Sequence, residues 1–146
     1  MIYLRNFTEA DLNVLQKYTA QTMEQLQNLI KIWETKSHNG KYFEMFAIMN
    51  DEEIVGSISL YQHSDSSVEC GPEIWEDFRN NGYGCEATKI ALELAKCKGF
   101  KIAQAQILTD NFASIALHKK LGFETDSYVY VNAKGKSCYI FLKSLV

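Results

Sequence analysis

The spacing of apolar residues changes along the chain, and each spacing predicts a different kind of secondary structure. Met23, Leu26, Ile30 and Trp33 recur at helical spacing, which predicts an amphipathic helix with these side chains in the core. After residue 40 apolar and polar residues alternate, which is typical of strands. The pattern predicts strands at residues 2–5, 43–49, 54–61, 68–75, 101–108, 128–131 and 138–142, with helices before residue 38, from Gly82 to Gly99 and from Asn111 to Gly122.

This order of elements favours an α/β (α+β) fold. It runs as strand, helices, three strands, helix, strand, helix and two strands. We expect a mixed, largely antiparallel central sheet of about seven strands, with helices on both of its faces. The chain has 146 residues, which is the size of one domain, and we assign residues 1–146 to a single domain.

Composition excludes several classes of protein. Hydrophobic residues make up 47% of the chain and charged residues 23%, which excludes disordered, collagenous and coiled-coil proteins. No apolar run approaches the roughly 18 residues that a membrane-spanning helix needs, and residues 1–7 lack the pattern of a signal peptide. The four cysteines do not have the spacing of a metal site, so we expect free thiols, no bound metal and a cytoplasmic location.

The net charge of −3 gives no indication of a nucleic-acid partner, but it hides an uneven distribution. Residues 1–73 hold 5 basic and 11 acidic residues, whereas residues 74–146 hold 10 basic and 7 acidic residues. One interpretation is chance unevenness on a solvated surface. The other is a cleft whose two ends attract ligands of opposite charge.

A glycine-containing turn between a predicted strand and a predicted helix is the most informative segment. Residues 79–84 read Arg-Asn-Asn-Gly-Tyr-Gly. Glycines let the backbone approach a ligand closely, and the first amides of a helix are unpaired and lie at the positive end of its dipole. This combination suits a phosphate, with Arg79 adding a contact. An ordinary strand–helix turn is the alternative, since the spacing fits neither a dinucleotide-binding loop nor a Walker loop.

Two segments together resemble the GNAT-type N-acetyltransferases. Residues 79–84 are similar to the family's Arg/Gln-x-x-Gly-x-Gly/Ala signature, and residues 111–123 resemble its Asn-x-x-Ala/Ser-x-x-x-Tyr-x-x-x-Gly-Phe block. Residues 4–12 are also typical of the family, and residues 82–87 are similar to the branch that acetylates ribosomal proteins and aminoglycosides. The resemblance extends over essentially the whole chain.

The resemblance implies a GNAT-like sheet that is splayed at its fourth and fifth strands. Acetyl-CoA, the implied co-substrate, would insert its pantetheine arm there and pair with the backbone of Ile74 and Trp75. Pro72, unusual in a strand, indicates the start of the splay, a bulge or a tolerated irregularity. The loop would bind the pyrophosphate, and the residues implied for this are Arg79, Asn80, Asn81, Gly82, Tyr83, Gly84 and Cys85.

The predicted helix after residue 110 carries further implied site residues. Asn111, Ser114 and His118 share one helix face, which in the family looks toward pantetheine and the thioester. Asn111 is expected to hydrogen-bond the pantetheine arm, although Asn is also a common helix cap. In the family, position 118 is usually Tyr, the general acid that protonates the departing thiolate. An imidazole can perform this step, so we assign it to His118; the alternative is CoA contact or space filling.

The general base does not follow the family pattern. Several family members carry a Glu five residues before the Asn of the helix, but this chain has Gln106, whose amide is not a useful base. We assign the base to Glu73, the carboxylate next to the splayed segment. The Glu69 side chain lies on the same face of the strand as that of Glu73, but about 13 Å further back along the strand. The alternatives are a surface role for Glu73 and an amine that enters neutral and needs no base.

We therefore expect an acetyl-CoA-dependent N-acetyltransferase in which a primary amine attacks the thioester directly in a ternary complex. Both a small molecule and a protein N-terminus can supply that amine. A non-catalytic acyl-CoA-binding module is the alternative, because of Gln106 and His118. No nucleic acid and no membrane is expected to take part. The closing hairpin holds aromatic residues that either pair across a homodimer or cover the sheet: Tyr128, Tyr130, Tyr139 and Phe141.

Overall fold

The computed structural model describes the whole chain, residues 1–146, as eight strands and four α-helices. The helices are α1 Leu12–Tyr18, α2 Met23–Glu34, α3 Tyr83–Cys97 and α4 Phe112–Lys120. Two short 3-10 turns lie at Glu9–Asp11 and Glu76–Phe78. The strands are β1 Ile2–Asn6, β2 Ser37–His38, β3 Lys41–Asn50, β4 Glu53–Gln62, β5 Ser67–Ile74, β6 Ile102–Leu108, β7 Tyr130–Val131 and β8 Ser137–Ser144.

The strands form a mixed sheet in the order β1-β3-β4-β5-β6-β8-β7, with β2 paired only to β3. All neighbouring strands are antiparallel except β5 and β6, which are parallel. A parallel pair needs a long crossover connection, and α3 supplies it between these two strands. The predicted α/β class with a largely antiparallel sheet is confirmed.

Helices cover both faces of the sheet, as predicted. α3 packs against β1, β4 and β5 and contributes Ala87 and Ala91 to the larger of two apolar clusters. α2 contributes Leu26 and Ile30, two members of the predicted helical stripe, to the smaller cluster. Both of these α2 side chains are almost completely buried. The helical spacing therefore identifies the buried face of α2 correctly.

Some element boundaries differ from the predicted ones. β2 is not predicted; it pairs with the start of β3 through a tight turn in which Asn39 and Gly40 both have positive φ, a conformation that Asn-Gly favours in two-residue hairpins. The predicted strand 128–131 shortens to Tyr130–Val131. Thr125 and Asp126 side chains accept hydrogen bonds from amides two residues further on, which competes with strand pairing there.

The aromatic residues of the closing hairpin divide into two pairs. Phe141 is fully buried and Tyr139 packs against the larger apolar cluster. Tyr128 is 63% exposed and Tyr130 is 37% exposed, and their ring centroids lie 4.7 Å apart. Tyr139 and Phe141 therefore cover the sheet, whereas Tyr128 and Tyr130 do not. The homodimer stays a prediction.

The buried carboxylate of Asp11 links β1 to the start of α1 through hydrogen bonds. Arg5 donates to both carboxylate oxygens of Asp11, at 2.8 and 2.9 Å, and the Thr8 amide donates at 2.8 Å. Burial by itself raises the pKa of Asp11, but the Arg5 and Thr8 hydrogen bonds outweigh it and hold this pKa below its usual value. Ionised Asp11 therefore stabilises the fold.

We predict that Asp11→Asn lowers the free energy of unfolding at pH 7 by about 1.5–3 kcal/mol, because charged hydrogen bonds are lost. The stabilisation from a lowered pKa is present above about pH 4 and is lost as the pH falls through the pKa of folded Asp11. The difference between wild type and variant should therefore shrink on acidification, as measured by urea unfolding. Glu9→Gln, at an exposed carboxylate in the same turn, is the control. Equal effects of the two substitutions would contradict this account.

Candidate functional site

The divergence of β5 and β6 is the central feature of the site. The two strands pair in parallel over three residue pairs, the last of which joins Glu69 to Gln104. Beyond this pair β5 stays with β4 as far as Ile74, and β6 stays with β8 as far as Leu108. A gap therefore opens between them toward their carboxyl ends. These are the fourth and fifth strands of the sequence prediction, so the predicted splay is confirmed.

The backbone of β5 faces this gap at every second residue. The Ser67 carbonyl accepts from the amide of His63, the residue after β4, at 2.9 Å, and the Trp75 amide donates to the Val55 carbonyl of β4 at 3.0 Å. In an antiparallel pair the backbone groups alternate in direction, so the odd-numbered residues of β5 face β4. The backbone groups of Cys70, Pro72 and Ile74 consequently face the gap.

Pro72 lies in the diverging part of β5, three residues beyond the last β5–β6 pair. Its position is one whose N–H would point toward β6, and proline has no N–H to donate. It lies opposite Ile58 in an unbroken register with β4, so the strand has no bulge at this point. Of the three alternatives for Pro72, the structure favours the start of the splay.

Ile74 and Trp75 are the two residues expected to offer backbone groups to a pantetheine arm. Only Ile74 faces the gap. The Trp75 N–H donates to the Val55 carbonyl at 3.0 Å, so this amide already has a partner inside the sheet and the expectation for Trp75 is corrected. The Trp75 side chain is buried and stacks on Tyr18, with ring centroids 4.4 Å apart. The Ile74 carbonyl accepts from Arg79 Nε at 3.0 Å, which fixes the start of the following loop.

The loop between β5 and α3 presents a row of unpaired backbone amides. None of the amides of residues 80–85 donates to a protein acceptor, and the first bond into α3 runs from Glu86 to Gly82 at 3.2 Å. Gly82 has a φ of +77°, which glycine adopts at little cost, and Asn80 has a φ of +68°. The Asn81 side chain steadies the loop by donating to two of its carbonyls at 3.0 and 3.2 Å.

A groove of about 470 Å³ runs between this loop and α4. Arg79 and Lys120 are its only charged lining residues, so the groove is basic. α4 lines it with Ala113, Ala116 and Leu117, which are small or apolar. Unpaired amides with two cations suit phosphate groups, and the apolar wall suits an attached organic arm.

The side chains of two predicted loop residues turn away from solvent. Tyr83 and Cys85 are half-buried and pack against the larger apolar cluster. The Tyr83 hydroxyl also accepts from Asn50 Nδ2 at 3.0 Å, at the end of β3. The Tyr83 hydroxyl is therefore already engaged within the protein, while the amides of both residues have no protein acceptor.

The predicted face of α4 brings two of its three residues to the gap. Ser114 and His118 line a cleft at the gap. Asn111 is exposed and does not line it; its side chain accepts from the Ser114 N–H at 3.2 Å and caps the helix. Asn111 therefore caps α4, and its hydrogen bond to a pantetheine arm stays a prediction.

His118 is 3% exposed, and its two ring nitrogens have different environments. Nδ1 lies 2.7 Å from the carbonyl of Ser114, whereas Nε2 is buried and has no hydrogen-bond partner. The ring meets Phe123 edge-on, with centroids 4.9 Å apart, and lies 6.3 Å from Phe141. A buried polar atom without a partner is uncommon in folded proteins, so Nε2 marks a place where a ligand group is expected.

The cleft at the gap has a volume of about 450 Å³ and one charged lining residue, Glu69. Glu69 Oε1 lies 3.2 Å from His63 Nε2. Phe43 and Tyr61 line it as an aromatic wall, with ring centroids 6.0 Å apart, and His38 packs 5.7 Å from Tyr61. A single carboxylate and aromatic rings favour a neutral or cationic group. The remaining polar lining residues are Ser59, Gln104, Gln106, Ser114 and His118.

Glu73, the base expected from the sequence, lies outside this cleft. Its exposed side chain lines a separate groove with Lys17, Tyr18 and Arg79. Four residues of extended strand separate it from Glu69, a distance of about 13 Å. The structure therefore separates Glu73 from His118, and the carboxylate that shares a cleft with His118 is Glu69.

Cys70 also lines the cleft, but it is not a nucleophile. Burial raises the pKa of its thiol to about 12, so the thiol stays protonated at neutral pH. All four cysteines are free. No three His, Cys, Asp or Glu side chains meet in an arrangement that could hold a metal ion. None of the helices combines the length and apolar character needed to cross a bilayer.

The aromatic wall and Lys120 are the parts of the site that sequence reasoning missed. Phe43 and Tyr61 come together only because β3 and β4 pair in one particular register. Lys120 follows Ala113 and Ala116 at helical spacing on the side of α4 next to the one that was predicted. That spacing is a usable signal, whereas the strand register is not visible in the sequence.

Comparison with known sequences gives a family match over most of the chain. The family model described as an acetyltransferase (GNAT) domain matches residues 2–124. An L-methionine sulfoximine/L-methionine sulfone acetyltransferase of Pseudomonas aeruginosa is 36% identical over 58 residues. The matched segment is 40% of this chain and 34% of that protein, so the chain spans about a third of the length of this curated relative.

Solved structures share the fold at low sequence identity. A Salmonella typhimurium acetyltransferase that modifies the N-terminal serine of a 50S ribosomal subunit protein has a TM-score of 0.82 at 14% identity, covering 99% of this chain and 95% of that one. Spermidine N-acetyltransferase from Vibrio cholerae, in complex with CoA and spermine, has a TM-score of 0.79 at 12% identity, covering 99% and 95%. With the family model matching residues 2–124, the chain belongs to the GNAT acetyltransferase family.

Proposed function

We propose that this protein transfers an acetyl group from acetyl-CoA to a primary amine. The observation that carries the proposal is the row of unpaired amides at residues 80–85 beside the open edge of β5, in a chain of the GNAT family. The amides suit the pyrophosphate of CoA, and an open strand edge suits the two peptide-like amides of its pantetheine arm. Acetyl-CoA carries both the pyrophosphate and the peptide-like amides.

The basic groove would hold the phosphates of CoA. The Arg79 Nη groups and Lys120 supply the cationic charge, and the amides of residues 80–85 supply the directed hydrogen bonds. The pantetheine arm would then follow the β5 edge from Ile74 toward Pro72 and bring the thioester to the cleft that Ser114 lines.

Acetyl transfer would proceed by direct attack in a ternary complex. The amine nitrogen attacks the thioester carbonyl carbon in the cleft that Ser114 and His118 line, and a backbone N–H of the open β5 edge stabilises the oxyanion that forms. His118 delivers a proton to the departing thiolate sulfur as the carbon–sulfur bond breaks. The products are the N-acetylated acceptor and CoA.

The acceptor is proposed to be a small-molecule amine or a protein N-terminus whose surroundings are neutral or cationic. The uneven charge distribution of the sequence matches the two clefts, because Arg79 and Lys120 line one and Glu69 alone charges the other. The two structural neighbours acetylate a protein N-terminal serine and spermidine, both of which are amines. All four thiols are free, which supports a cytoplasmic location.

A non-catalytic acyl-CoA-binding module is the second candidate. It is favoured by Gln106, which stands where several family members carry a Glu, and by His118 in place of the usual Tyr. Turnover with a panel of amines separates the two candidates, since only the enzyme releases CoA in an amine-dependent manner.

We predict that the protein binds acetyl-CoA with a micromolar dissociation constant and that Gly82→Ala weakens this binding. Alanine disfavours a φ of +77° by about 1–2 kcal/mol, so the loop relaxes and must be reordered on binding, a loss of roughly 5–30-fold in affinity. Isothermal titration calorimetry measures both values.

Gly135→Ala is the matched control, because Gly135 has a φ of +76° in the turn of the closing hairpin. It imposes the same backbone cost on the fold but should leave acetyl-CoA affinity unchanged. Equal affinities for the two variants would show that the loop amides do not bind CoA. The absence of any heat with the wild-type protein would contradict the proposed function itself.

We further predict that a cationic acceptor binds less tightly as salt is added and that Glu69→Gln raises its KM about fivefold. This factor corresponds to about 1 kcal/mol for a partly exposed charge pair. Steady-state kinetics at several ionic strengths give both results. Glu73→Gln, which removes the same charge outside the cleft, is the control and should leave KM unchanged. Preference for an anionic acceptor, with no salt dependence, would contradict the assigned acceptor class.

A further inference from the structure

His118 is held in one tautomer by its own helix. Its Nδ1 lies 2.7 Å from the backbone carbonyl of Ser114, and a carbonyl oxygen only accepts hydrogen bonds. The proton of the neutral ring is therefore on Nδ1. Nε2 then carries a lone pair, so in the free protein it is an acceptor and has no proton to donate.

We expect the hydrogen-bond partner of Nε2 to come from a bound ligand. Nε2 is the one buried side-chain nitrogen or oxygen atom of the structure that lacks a hydrogen-bond partner. The ring is fixed between Phe123 and Phe141, and the residue lines the cleft. Because Nδ1 is turned back onto the helix, Nε2 is the ring nitrogen left for a ligand in the cleft.

The other side chains of the cleft are poor candidates for a base. Gln106 is an amide and does not take up a proton. The Glu69 carboxylate already has a neighbour, since its Oε1 lies 3.2 Å from His63 Nε2. The Cys70 thiol is buried and protonated, and Glu73 lies in another groove. His118 Nε2 is the atom of the cleft that combines a free lone pair with a fixed position.

We propose that His118 both removes the proton from the attacking amine and delivers it to the thiolate, through the same Nε2 atom. This inference rests on the proposed acetyl transfer. The neutral amine forms its carbon–nitrogen bond to the thioester carbonyl, and Nε2 takes one proton from the resulting ammonium nitrogen. The carbon–sulfur bond then breaks, the electron pair stays on sulfur, and the Nε2 proton passes to that sulfur. The ring returns to its Nδ1–H form, so no separate base is needed.

Few other groups in the cleft can exchange a proton with the reactants. The titratable groups that line the cleft with His118 are Tyr61 on β4 and Glu69 and Cys70 on β5. On α4 itself the neighbouring Lys119 and Lys120 are exposed, and the two rings that contact His118 are uncharged. A loss of kcat in a His118 variant that Glu69→Gln does not reproduce therefore reports His118.

The decisive comparison is between His118→Gln and His118→Tyr. Gln cannot carry a proton, so kcat should fall about 100-fold or more while the CoA dissociation constant stays within about twofold. Tyr restores the family's usual acid but cannot act as a base at neutral pH. If His118 performs both steps, His118→Tyr should also stay about 100-fold slow at pH 7. Recovery of the wild-type rate by His118→Tyr would overturn the base role and leave only the acid.

A second measurement does not depend on turnover. The ¹⁵N NMR signals of the His118 ring in the wild-type protein should show a protonated Nδ1 and an unprotonated Nε2 at neutral pH. An Nε2–H tautomer would overturn this inference even in an active enzyme. Failure of the proposed function is recognised separately, as an absence of CoA binding or of amine-dependent CoA release in the wild type. Thermal melting and CoA titration establish that each variant is folded.

Discussion

Parallel pairing of β5 with β6 stops after three residue pairs, and both clefts depend on that divergence. Pro72, three residues beyond the last pair, has no N–H to donate toward β6, while the pairing of β5 with β4 continues undisturbed to Ile74. The result is a strand edge that is rigid on one side and unpaired on the other. Such an edge binds an extended ligand through backbone groups without any rearrangement of the protein.

The two ends of this edge differ in their chemistry. At one end the loop of residues 80–85 offers amides and Arg79 in a basic groove, which suits a polyanion. At the other end the cleft holds one carboxylate, Glu69, an aromatic wall and the unpaired Nε2 of His118. The two ends of the strand edge therefore carry charge of opposite sign, which is the arrangement that the proposed cofactor and the proposed amine acceptor require.

The sequence predicted the sheet, the splay and the glycine-containing loop before α3, because alternation, helical spacing and glycine positions are local signals. It failed where the outcome depends on strand register. Whether Ile74 or Trp75 faces the gap is decided by the hydrogen bonds of β5 to β4, and the choice between Glu69 and Glu73 is decided by how far the gap extends along β5. His118 lines the cleft, and its catalytic role stays a prediction; its tautomer depends on the Ser114 carbonyl, a contact that residue type does not reveal.

The most direct test of the central claim is a ¹H–¹⁵N NMR titration of the protein with CoA. If the loop and the open β5 edge form the cofactor site, the largest shifts will fall on the amides of residues 80–85 and of Ile74, with little change elsewhere. The structure contains a larger groove of about 840 Å³ beside Tyr130 and Leu142, on the far side of β8. Shifts confined to that groove, with the amides of residues 80–85 unmoved, would contradict the account.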